Sequence, residues 1–187
     1  HNKLAVGTKG AKRSLFTTEG RSAHSAYPEV GDSAIEKLLD VLDDLRNIKW
    51  PEDEFFGATT CNIGVINGGT RPNVIPDKAG AELAIRLAVD IEQTKSVVEK
   101  AVHGRAKVEY ASAHAPVKLF YVRGFEECVV RFATDIPYLS NWGKAVLLGP
   151  GSILDAHTDH ERVAKQELND AVDLYARLAR QLLKEKG

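Results

Sequence analysis

Apolar and polar residues partly alternate over residues 11–19 (AKRSLFTTE) until Gly20 breaks the run, which predicts a strand. From Ser33 the period changes. Ile35, Leu38, Leu39, Leu42 and Leu45 recur at helical intervals, and Ser33 and Glu36 have the spacing of a capping box, so an amphipathic helix is expected over 33–46. Trp50-Pro51 and Gly57 punctuate its exit. Cys61, Ile63 and Val65 then alternate against Thr60, Asn62 and Gly64 as a half-buried strand. A connection running from Gly68 to Pro76 leads to a strand in which Ala81, Leu83, Ile85 and Leu87 face one way and Glu82, Ala84 and Arg86 the other. A second helix from about Ile91 to Val102 stops at His103-Gly104, and a fourth strand follows over 107–112. Strand, helix, strand, strand, helix, strand is the split βαβ order of a ferredoxin-like sandwich. The expected class is α+β, an antiparallel sheet with two helices on one face.

The remainder differs in kind. Short strands are expected at 119–122, 128–132 and 145–148, then a Gly149-Pro150-Gly151 turn and a long final helix. In that helix Leu168, Ala171, Val172, Tyr175, Leu178, Ala179 and Leu182 form one apolar stripe. A segment of about 70 residues with three short strands is thin material for covering such a stripe. We therefore expect it to belong to a larger α/β sheet whose other strands lie elsewhere. The expected division is 8–113 as one domain and 1–7 with 114–187 as part of another.

Composition narrows the function classes. The 187 residues are 43% hydrophobic and 27% charged with a net charge of -1, so no basic field draws the chain to nucleic acid or to an anionic membrane. Cys61 and Cys128 are the only thiols, too few for a disulfide framework, which points to a reducing, cytoplasmic home. No apolar run approaches the roughly 20 residues of a membrane span, and the N-terminus lacks signal-peptide character. The chain contains no Met. A fragment, a processed chain or an incomplete record is the expectation.

Polar residues in Gly/Pro-rich loops carry the candidate chemistry: His24 within Gly20-Arg21-Ser22-Ala23-His24-Ser25, Asn73 before Val74-Ile75-Pro76, Arg86 on its strand, and the cluster Asp155, His157, Asp159, His160 and Glu161. Each has a plainer alternative. A loop histidine can be a surface hydrogen-bonding residue, Asn73 a turn residue, and Arg86 a charge paired with Glu82. Zinc wants three or four converging ligands, which adjacent loop residues rarely supply. The Gly149-to-Ser152 turn lacks the lysine and spacing of a phosphate loop.

Taken in order, several motifs resemble one family, and the match runs the length of the chain. They are Leu4-Ala5-Val6-Gly7-Thr8-Lys9-Gly10; Gly20-Arg21-Ser22-Ala23-His24-Ser25-Ala26-Tyr27-Pro28-Glu29; Asn62 to Gly69 leading to Pro72-Asn73-Val74-Ile75-Pro76-Asp77; Ala84-Ile85-Arg86; Thr134-Asp135; and Gly149-Pro150-Gly151 followed by Ala156-His157-Thr158 and Glu161. The sequence is similar to the zinc-dependent aminoacylases, acetylornithine deacetylases, succinyl-diaminopimelate desuccinylases and glutamate carboxypeptidases. In that family a lid domain is inserted into a catalytic domain, and two lids pair through their edges as a homodimer. The resemblance implies that His24 is the lid histidine that crosses into the partner's site and hydrogen-bonds the scissile carbonyl as it becomes an oxyanion. It implies that Asn73 and Arg86 bind substrate, the guanidinium holding a carboxylate. Gly149 and Gly151 would line the substrate pocket, and His157 would be the last zinc ligand. The implied reaction is metal-dependent hydrolysis of an amide in an N-acyl amino acid or small peptide. The Ala156-His157-Thr158 motif and the Gly-Pro-Gly turn look closer to the deacetylase and desuccinylase branch.

The departure is as informative. The family's His-x-Asp motif, bridging aspartate and glutamate pair have no counterpart before Leu4, and Glu126-Glu127 lies in the wrong half of the chain. His157 alone cannot hold zinc usefully, and Asp155 is expected to be a loop carboxylate rather than a ligand. The expectation is a parent enzyme with one or two zinc ions, and no activity in this chain by itself. The alternative is a non-catalytic dimerisation or binding module.

Overall fold

The computed structural model describes residues 2–184. In chain order the elements are β1 (Leu4–Thr8), β2 (Gly10–Glu19), β3 (Ala23–His24), α1 (Ala34–Asn47), β4 (Glu52–Asp53), β5 (Gly57–Ala58), β6 (Thr60–Gly68), β7 (Val74–Ile75), β8 (Lys78–Leu87), α2 (Ile91–Val102), β9 (Lys107–His114), β10 (Val117–Lys118), β11 (Glu127–Val130), β12 (Leu147–Leu148) and α3 (Lys165–Lys184). They divide into two compact units, Lys9–Pro116 with Arg131–Ala133, and His1–Thr8 with Val117–Val130 and Thr134–Gly187.

The first unit is built on an antiparallel sheet in the order β6-β8-β2-β9. Alternation along β2 and β8 sends Phe16, Ala81, Leu83, Ile85 and Leu87 to one face, where they pack with Leu38, Val41, Leu42 and Leu45 of α1 and Val98 and Val102 of α2. Both helices start where their caps dictate. The Ser33 hydroxyl accepts from the Glu36 N–H at 3.3 Å, and the Asp90 carboxylate accepts from the Glu92 and Gln93 N–H groups. His103, in the left-handed region at φ 49°, ends α2.

Two expected core positions turn outward. A bulge between Ile63 and Val65 slips the alternation of β6, so Val65 opposes Glu82 and is 47% exposed. On α1 the buried face is centred on Leu38, Val41, Leu42 and Leu45, which leaves Leu39 52% exposed.

In the second unit β1 is the central strand and is buried along its length. It pairs parallel with β11 and antiparallel with β10 and β12. The strand expected at 119–122 is displaced to Val117–Lys118. The Leu119 N–H still donates to the Val6 carbonyl at 2.9 Å, after which Leu119 and Val122 serve as core residues. Leu4, Val122 and Phe125 form the core, with Leu174, Leu178 and Leu182 of α3 packed against it. Leu168, Val172 and Tyr175 of the expected stripe stay exposed. No helix among the described residues is long and apolar enough to cross a membrane.

Candidate functional site

His24 stands on an arm that leaves the sheet at the end of β2. Gly20 permits the departure: a Cβ there would lie 2.0 Å from the Asp32 carbonyl oxygen. Arg21 and Asp32 close the base of the arm with reciprocal backbone hydrogen bonds of 2.8 and 3.0 Å. Lys37 of α1 reinforces it through the Asp32 carboxylate and the Glu19 carbonyl. Further out, β3 pairs with β7, setting His24 opposite Val74, and the Ser25 N–H donates to the Asn73 carbonyl at 3.0 Å. The exposed side chains of His24 and Asn73 therefore belong to one local structure.

The arm also selects a tautomer. His24 Nδ1 accepts from the Ala26 N–H at 3.1 Å, which leaves the ring proton on Nε2 as an outward donor. Tyr27 meets the imidazole edge-on with ring centroids 6.3 Å apart and is 62% exposed.

Arg86 lies at the other end of the sheet. Lys78 pairs with Glu19 beside the base of the arm, whereas Arg86 follows eight residues along β8, a displacement of roughly 27 Å at strand spacing. Its side chain is exposed, and among the described residues no ion pair engages it. Glu82, two turns of the pleat away, pairs with Arg13 instead, Nε to Oε2 at 3.1 Å. The corner beneath this end is pinned by buried Lys9, which donates to the Ala58 carbonyl, and by the Thr59 hydroxyl, which accepts from the Ala88 N–H at 3.1 Å. Within one chain, then, His24 and Asn73 come together and Arg86 does not join them.

In the other unit Gly149 and Gly151 are held by the start of α3 and the N-terminal segment. The Asn2 N–H donates to the Gly149 carbonyl at 3.0 Å, and the Gly151 N–H donates to Glu167 Oε2 at 2.9 Å. A cavity of about 220 Å³ opens here beside Gly151, Ser152, Asp155, Arg162 and Glu167. His157 is exposed and sits in the left-handed region at φ 61°, its N–H donating to Glu161 Oε2 at 2.9 Å. Glu161 thus has a positioning role that its place in the motif alone did not reveal. The available signal was a carboxylate four residues beyond a histidine in a turn.

The donor set does not by itself fit a metal ion. Among the described residues no group of three or more His, Cys, Asp or Glu converges, so His157 is a single candidate ligand and no catalytic step follows from these residues through a metal. The groups with large proton-affinity shifts lie elsewhere. Burial pushes the Cys61 thiol up to about 11, which argues against a nucleophilic role. Burial also pushes Lys12 down to about 8 and the Tyr110 phenol up to about 12. Lys12 Nζ sits 3.9 Å from the Tyr110 ring centroid, beneath the helices.

Comparison with known proteins bears on the whole chain. Residues 6–114 match the family model described as a peptidase dimerisation domain. A Peptidase M20 domain-containing protein of Schizosaccharomyces pombe is 40% identical over 182 residues, which are 95% of this chain and 45% of that protein. A probable carboxypeptidase of Uncinocarpus reesii is 35% identical, the match covering 96% of this chain and 46% of its own. The chain spans about half the length of the curated relatives it matches. Among solved structures, the aminopeptidase PepT of Bacillus cereus shares the fold with a TM-score of 0.69, at 21% identity over 94% of this chain and 53% of that one.

Proposed function

This chain belongs to the M20 peptidase family, whose dimerisation domain it carries, and from that premise we propose that it is the lid and part of the catalytic domain of a metal-dependent amide hydrolase. The substrate is an N-acyl amino acid or a small peptide, either of which presents an amide near a free carboxylate. His24 of one copy supplies its Nε2–H to the oxyanion that forms in the partner's site. Asn73 binds substrate beside it, and Arg86 takes the carboxylate bidentately. Gly149 and Gly151 line the pocket, and His157 is one ligand of the metal, zinc by resemblance, which supplies an activated water when bound. Among the described residues His157 is the one candidate ligand, and we expect no hydrolysis from this chain alone.

One observation carries this reading: the roughly 27 Å run of β8 between Lys78, beside the base of the arm that holds His24 and Asn73, and Arg86 at the far end of the same strand. Two groups serving one small substrate cannot sit that far apart unless different copies supply them. The β6 edge is suited to bringing copies together. Its nine residues, Thr60–Gly68, carry no charge, and Val65 and Ile66 are 47% and 55% exposed. The opposite edge, β9, is blunted by Lys107 and Glu109. Homodimerisation through β6 follows.

Mixed dimers of the full-length enzyme test the proposal. One copy carries His24→Ala and the other His157→Ala, each inactive alone. Crossing of His24 predicts recovered hydrolysis, because one site per mixed dimer is then intact. Mixed dimers as inactive as their parents would refute it, and a module that only dimerises would show no activity even as wild type.

A further inference from the structure

We infer that His114 is a second recognition residue for the substrate carboxylate, gripping it together with Arg86 across the methyl group of Ala11; this rests on the proposed role of Arg86. The strand register places them. Arg86 opposes Thr60 on one side and Ala11 on the other, and Ala11 in turn opposes His114. Directly opposed residues in an antiparallel sheet share a face. Thr60, Arg86, Ala11 and His114 therefore form one rank across all four strands, on the face turned away from α1 and α2. Arg86 and His114 are two strands apart, about 10 Å at Cα, with a single methyl group between them. That gap suits a small anion reached by a guanidinium from one side and an imidazole from the other.

The next rank keeps the floor low. It runs Asn62, Ala84, Arg13, Ser112, so Arg86 looks along its own strand at another methyl group. The carboxylates nearest this rank are already engaged, Glu82 by Arg13 and Glu109 by Lys107, and Glu19 lies eight residues along β2 from Ala11. Two guanidiniums thus differ in kind: Arg13 is neutralised, whereas Arg86 has no acidic partner among the described residues. A negative ligand over Ala11 meets an uncompensated positive charge and a floor with no competing anion.

Gly10 brings the third wall into place. A Cβ there would lie 2.2 Å from the His114 carbonyl oxygen and 2.9 Å from the Ala115 carbonyl carbon, so only glycine lets the end of β9 close onto β2 at this height. His114 is the last residue of β9, and it is half-buried. Its backbone is therefore clamped while its imidazole shares the open face with Arg86. The site is specific for a planar, singly charged group of carboxylate size, and a residue larger than alanine at position 11 fills it.

Nuclear magnetic resonance on the 187-residue chain tests this with N-acetylglycine as the probe and N-acetylglycinamide as its uncharged control. The acid is expected to shift the Arg86 Nε–H and the His114 ring resonances together, and the amide to shift neither. His114→Ala should weaken apparent binding about tenfold, the loss of one charge-assisted contact. Ala11→Leu should abolish binding although both polar groups remain, provided the amide spectrum shows an intact fold. Perturbation of Arg86 without His114, or unchanged affinity in His114→Ala, would overturn the inference and leave the role of Arg86 standing. If neither resonance moves, the role of Arg86 falls with it.

Discussion

The two units of this chain solve the burial problem to different degrees. In Lys9–Pro116 a four-stranded sheet is covered by two helices, and Leu38, Val41, Leu83, Ile85, Leu87 and Val98 are all essentially sealed from solvent. In the other unit Leu4, Val122 and Phe125 form a small core under one side of α3, while Leu168, Val172 and Leu183 of that helix, with Trp142 and Leu154, face water. A domain whose long strands pair along eight to ten residues beneath two helices closes its own core. One whose central strand gathers two- and four-residue partners leaves apolar surface uncovered.

That contrast can be broken from either side. The largest expected effect is Leu83→Ala in the closed core, a loss of about 2–5 kcal/mol read from urea unfolding, whereas Leu178→Ala on the half-covered helix should cost well under that range. Equal costs would mean that the second unit is as tightly packed as the first. Lys12→Met should stabilise the lid by about 1 kcal/mol, because Lys12 Nζ is buried without a hydrogen-bond acceptor and is compensated only in part by the Tyr110 ring and by the charges of Glu92 and Glu99. The pH dependence has a definite sign. With Lys12 lowered to about 8 in the fold against 10.5 when unfolded, the unfolded chain binds more protons between those values. The Lys12 contribution therefore carries its full cost below pH 8 and eases as pH climbs from 8 towards 10.5, while the buried Cys61 thiol, raised from 9.0 to about 11, opposes it above pH 9. In Lys12→Met that slope should flatten, and an unchanged slope would dissociate it from Lys12.

Smaller effects probe surfaces. Ile66→Lys on the uncharged β6 edge should weaken self-association at least tenfold in sedimentation while shifting unfolding stability by no more than about 0.5 kcal/mol. An undiminished dimer would move the interface elsewhere. Glu161→Ala should leave global stability within about 0.5 kcal/mol but speed hydrogen exchange at the His157 amide, which loses its acceptor. Unaltered exchange would deny Glu161 its positioning role.

Much of the lid was legible before any coordinates. The period shift at Ser33, the alternation over Ala81 to Leu87 and the His103-Gly104 stop are local signals, and α1, β8 and α2 appear where those signals put them. Legibility failed where a neighbour overrode the local pattern. The bulge in β6 is set by its pairing with β8 and turned Val65 outward, and β10 forms where β1 offers partners rather than where Leu119 to Val122 look most strand-like. At the candidate site the same line holds. The residue types of His24, Asn73 and Arg86 stand out in sequence, but nothing local tells that the Ala26 N–H sets the His24 tautomer or that His114 shares a rank with Arg86.

By itself the sequence determined the order of the lid's main strands and helices, the Ser33 cap of α1 and the family, because periodicity, caps and motif spacing are properties of residues near one another in the chain. Only the tertiary structure decided which residues oppose each other across the sheet, how far Arg86 lies from His24, and which apolar face of α3 is covered. Those depend on register and packing between segments tens of residues apart, where a slip of one position sends a side chain to the opposite face.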